Sequence, residues 1–80
     1  MALSEKEKER IDYFCEAAKG KGYREETIEL GLMFACTKVL VGKFGSAENA
    51  LEEIIKLCEQ HEDGQSFINA VGVLAGIDDK

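Results

Sequence analysis

The sequence predicts an all-α fold, a small bundle of four helices in one domain spanning residues 1–80, with the second helix central. The chain has no proline, and proline-free segments joined by glycine turns suit helices better than a loop-rich fold. Apolar residues recur at steps of three and four, the period of a helix with one buried side. The longest apolar run, TIELGLMFACTKVLVGKFG at residues 27–45, is apolar around most of its circumference when wound as a helix. Such a helix needs cover from several sides.

The first helix is expected over residues 4–19. Ser4 and Glu7 form the S-x-x-E pattern of a capping box. Ile11, Phe14, Cys15 and Ala18 then fall at i, i+3, i+4 and i+7, a single apolar stripe. The SEKEKER start carries both charge signs, as a solvated helix face does. Gly20 is placed to end the helix in a left-handed conformation. The segment KGKGYR, residues 19–24, is the only locally basic stretch. It reads as an interhelical turn. An anion at the following helix N-terminus would face Glu25 and Glu26, which already complement the dipole there.

The central helix is expected from near Arg24 to near Gly45. Ile28, Leu32, Cys36 and Val39 make one apolar face, and Leu30, Met33, Phe34, Leu40, Val41 and Phe44 a broader second one. Between them lie Gly31, Ala35, Lys38 and Gly42. That mostly small stripe would let another backbone approach closely, from this chain or from a second copy. Gly31 and Gly42 each cost about 1 kcal/mol of helix propensity, which packing should offset.

Ser46 caps a third helix, residues 46–62, with Ala47, Leu51, Ile54, Ile55 and Cys58 inward. Glu52 and Lys56 form an i, i+4 pair in the favourable order. The segment 66–77, SFINAVGVLAGI, carries strand-favouring Val and Ile and helix-weakening Gly72 and Gly76. With no other strand to pair with, it is expected to be a short helix capped near Asp63 or Ser66. It is apolar on nearly all sides, and a polar tail follows through Lys80.

The net charge of −6 opposes general affinity for DNA, RNA or anionic membrane, which are themselves polyanions. No apolar run reaches the roughly 20 residues of a bilayer crossing, and the opening MALSEKEKER lacks a hydrophobic signal segment. Three cysteines, Cys15, Cys36 and Cys58, form no C-x-x-C pair and sit within apolar stripes, where free cysteine packs as a small hydrophobe. A cytoplasmic chain with reduced thiols is expected. Cys58 and His61, joined by Cys15 and Cys36, would make a zinc site only if the helices converged. A helix-turn-helix reading of residues 24–62 gives an acidic recognition helix, the wrong sign for base edges. P-loop, dinucleotide-binding and EF-hand patterns are absent. The sequence therefore assigns no catalytic, cofactor-binding or metal-binding residue.

The expected function is that of a small acidic protein–protein interaction module, a homodimeric regulator or inhibitor that occupies a partner protein's surface. The expected interface is Leu30, Gly31, Phe34, Lys38, Val41, Phe67, Val71 and Leu74, from the central and last helices. An alternative rests on outward acidic residues, Glu5, Glu7, Glu9 and Glu16, then Glu48, Glu52, Glu53 and Glu59. A surface of that kind suits a DNA-mimicking inhibitor of a nucleic-acid-binding protein, such as a phage counter-defence protein.

Overall fold

In the computed structural model, which describes residues 4–76, the chain is all-α, with α1 (Glu5–Gly20), α2 (Glu25–Ala35), α3 (Lys38–Phe44), α4 (Ala47–Gln60) and α5 (Gly64–Leu74). The expected polar tail beyond Gly76 lies outside the described residues. Five helices replace the expected four because the long central helix is two. The break falls at Cys36 and Thr37. Thr37 is extended, its hydroxyl accepts from the Leu40 amide at 3.3 Å, and the same hydroxyl donates to the Phe34 carbonyl at 2.7 Å. One side chain thus closes α2 and opens α3, a preferred role for threonine at a helix start.

The other ends follow local chemistry. Ser4 and Glu7 exchange both capping-box hydrogen bonds at 3.0 Å. Ser46 accepts from the Asn49 amide, and Asp63 from the Ser66 amide at 3.2 Å. Hydrogen bonds from the Ser66 side chain and backbone amide hold the Asp63 carboxyl below its ordinary value. The left-handed residue after α1 is Gly22 (φ 80°) rather than Gly20, which stays helical. Gly45 (φ 96°) ends α3 by the same device.

Packing pairs helices that are distant in sequence. Ser4 reaches Glu48, Arg10 reaches Glu52, Tyr13 reaches Glu59, and Lys21, just past α1, reaches Glu62. The partners advance together, so α1 and α4 lie side by side and parallel. Likewise Gly64 lies against Thr27, and the Phe67 ring against Gly31, so α2 and α5 also run parallel. The thinnest extent is 18 Å, about two helix diameters, so the fold is two layers deep.

Phe14, Leu40, Ile54, Cys58, Phe67 and Val71 are the largest fully buried side chains. Phe67 sits at the centre, its ring 5.7 Å from Phe14 and 5.2 Å from Tyr23, tilted to both. Tyr23 is buried beside the turn after α1, and its hydroxyl donates to the carbonyls of Cys58 and His61 at the end of α4. Burial pushes that phenol well above its ordinary value, so it stays a neutral donor.

Candidate functional site

The expected interface divides when the helices are placed. Gly31, Phe67 and Val71 lie inside the chain's own core, and their removal from the surface corrects that part of the assignment. The physical reason is at Gly31. An added Cβ would stand 2.8 Å from Phe14 Cζ and 3.1 Å from Phe67 Cζ. The small-residue stripe therefore admits two aromatic rings of this chain, and its upper half, Gly31 and Ala35, faces inward. Lys38 and Gly42 belong to α3 and are exposed, with open space around Gly42. Phe34, Val41 and Leu74 are half-buried.

Leu30 remains at the surface at 40% exposure, and it has company. Met33 is 65% exposed, Cys36 is exposed, and Val39 is 56% exposed. These four residues stand three apart along the chain. Leu30 and Met33 share a helix face, since residues three apart are neighbours there. Across the corner each step is three virtual bonds of about 3.8 Å, so successive Cα atoms of the stripe lie within about 11 Å. The α2–α3 corner thus carries a run of uncovered apolar side chains.

The second surface feature is a groove of about 380 Å³ between α1 and α4, lined by Glu9, Arg10, Tyr13, Glu52, Ile55, Lys56 and Glu59. Sequence reasoning did not find it. In the sequence its glutamates belong to the outward faces of two separate helices and Ile55 to a buried stripe, and only the pairing of α1 with α4 joins them. Arg10 binds Glu52 through both Nε, at 2.9 Å, and its terminal nitrogen. Lys56 pairs with Glu53 at 3.3 Å rather than with the expected Glu52, which pairs with Arg10. Tyr13 is 54% exposed, and its hydroxyl donates to Glu59 at 2.9 Å. That bond and the adjacent negative charge hold the Tyr13 phenol above its ordinary value.

On α4, Glu48 accepts from the Ser4 hydroxyl, Glu52 from Arg10 and Glu59 from the Tyr13 hydroxyl, and Glu62, past the helix end, pairs with Lys21. The three cysteines are dispersed, with Cys58 buried, Cys15 half-buried and Cys36 exposed. Among the described residues no three His, Cys, Asp or Glu side chains are grouped to hold a metal ion. In the same residues no helix is long and apolar enough to cross a membrane. No family model, curated protein or solved structure matches the chain.

The thiols give a direct check on this placement. Burial pushes the Cys58 thiol up, and reactivity requires an accessible thiolate. With a chromogenic disulfide reagent near neutral pH, Cys36 is expected to react first and Cys15 more slowly. Cys58 is expected to react only after denaturant is added. Fast labelling of Cys58 in the native chain would contradict the packing of α4.

Proposed function

We propose that this chain is a protein-binding module that works as a homodimeric regulator or inhibitor, with the α2–α3 corner as its contact surface. The supporting observation is the uncovered run of Leu30, Met33, Cys36 and Val39 on a chain whose other large apolar side chains mostly pack against its core. Contiguous uncovered apolar surface marks an interaction site more often than isolated apolar residues do. A chain of 80 residues has a small core, and association with a second copy is one way to extend it. A two-fold contact through this corner sets Leu30 and Met33 of one copy against the same stripe on the other. The acidic surface then keeps the assembly soluble and excludes polyanions. The DNA-mimic alternative draws on the outward glutamates, of which Glu52 and Glu53 on α4 are paired with Arg10 and Lys56.

Sedimentation equilibrium tests this reading. The wild-type chain is expected to pass from monomer to dimer between micromolar and millimolar concentration. Met33→Asp and Val39→Asp are expected to remain monomeric with unchanged helix content, because each would bury an unpaired carboxylate in the contact. A wild-type chain that stays monomeric at millimolar concentration overturns the dimer, and wild-type-like association of both variants overturns the corner.

A further inference from the structure

The groove between α1 and α4 is distinct from the apolar corner, and its charges do not cancel. Three glutamates line it, Glu9, Glu52 and Glu59, against two cations, Arg10 and Lys56. Both cations are engaged: Arg10 holds Glu52, and Lys56 holds Glu53 on the flank. Among the described residues, neither Glu9 nor Glu59 has an ion-pair partner. The Glu59 carboxylate accepts one hydrogen bond, from Tyr13, of the roughly four that its lone pairs offer, while its backbone carbonyl accepts from the Lys21 ammonium at 3.2 Å. The same groove is lined by the Tyr13 ring and the half-buried Ile55 side chain. Negative charge beside an uncovered aromatic ring is the complement of a planar cation, which can pair with a carboxylate while stacking on the ring.

We propose that the α1–α4 groove receives the guanidinium of an arginine presented by a basic segment of a partner protein. Its volume of about 380 Å³ is at the small end of the range for ligand pockets, a size for one or two side chains rather than for a docked helix. The guanidinium lies on the Tyr13 ring and donates to Glu59 and Glu9. Arginine is preferred over lysine because an ammonium has no plane to stack and no fork to span a carboxylate. Arg10 does not repel the guest strongly, since its own charge is met by Glu52.

The test is a titration of the isotope-labelled protein with a capped tri-arginine peptide, followed by amide and side-chain NMR shifts. Tri-lysine serves as the control for charge alone. Saturable shifts at Tyr13, Ile55 and Glu59 are expected, with a weaker response to tri-lysine. Glu9→Gln and Glu59→Gln should each weaken binding roughly tenfold, the size of a lost charge-assisted hydrogen bond. Tyr13→Ala should lose the site. Tyr13→Phe keeps the ring and frees the Glu59 carboxylate, so it should bind as tightly as wild type or better. All three positions are at the surface, and helix content by circular dichroism checks that each of the four variants folds. Shifts spread equally over Glu25, Glu26 and Glu29 on α2, equal affinity for tri-lysine, or undiminished binding by the two glutamine variants would each overturn the proposal. None of these substitutions touches Leu30, Met33 or Val39, so failure here leaves the dimer contact to its own experiment.

Discussion

Phe67→Ala is expected to bring the chain to the edge of unfolding. Phe67 is 0% exposed and is packed by Phe14 and Tyr23 at centroid distances of 5.7 and 5.2 Å, with Gly31 against its ring edge. Removing a buried phenylalanine ring costs about 3–5 kcal/mol, the lost transfer energy plus the cavity left behind. An 80-residue domain has roughly 4–12 kcal/mol in total, at 0.05–0.15 kcal/mol per residue. The loss is therefore a large fraction of the margin, and the whole of it at the lower end of that range. Urea titration followed by circular dichroism should show a midpoint near zero denaturant or no native baseline. Phe34→Ala, at a half-buried position, should cost clearly less. If Phe67→Ala unfolds within a few tenths molar urea of wild type, the ring is not central to the core.

Gly31→Val is expected to give the next largest loss, about 2–3 kcal/mol from overpacking. The Cβ alone would meet Phe14 Cζ at 2.8 Å. Ring atoms can sometimes swing aside, but Phe14 is fully buried and is held against Phe67. The β-branch then adds two further carbons to a space already filled. The paired comparison is Gly→Ala at two sites in one background. Gly42 has nothing within 4 Å of an added Cβ, so Gly42→Ala should stabilise by up to about 1 kcal/mol through helix propensity. Gly31→Ala should destabilise in spite of the same propensity gain. Equal signs for the two alanine variants would mean that the ring contacts at Gly31 are slack.

Helix type was readable wherever the signal was local. The Ser4–Glu7 box, the stripe carrying Phe14 and Ala18, the Ser46 cap and the stripe of α4 are all sequence patterns within one or two turns. The last segment was harder. Ile68, Val71 and Val73 favour a strand by propensity and Gly72 weakens a helix, yet the Asp63 cap and the lack of a pairing partner favour a helix, and α5 is one. Thr37 was the missed signal. It stands inside an apolar run, and periodicity counted it as one more helical position. A hydroxyl residue followed by a fresh apolar turn can equally start a new helix, and here it does.

The surface was less legible than the fold. An apolar segment such as that holding Phe67 and Val71 looks the same whether its own chain or another covers it, because hydrophobic burial has no direction. Only the contact with Phe14 and Gly31 decides it. The groove was invisible for a different reason. Glu59 and Tyr13 are 46 residues apart, and nothing in either helix's periodicity says which neighbour it will meet. As one long helix, the segment puts Met33 on one apolar face and Cys36 and Val39 on another, and periodicity does not show that all three stay exposed about the break at Thr37.

The parallel pairing of α1 with α4 has a temporal consequence during synthesis. Its cross-links join residues 38–46 positions apart. The first helix emerges from the ribosome while its mate has yet to be translated. Phe14 then waits without cover until α4 and α5 follow, several seconds at roughly 5–20 residues per second. A synonymous codon change that slows translation across residues 46–70 would lengthen that wait and expose the nascent chain to chaperones for longer.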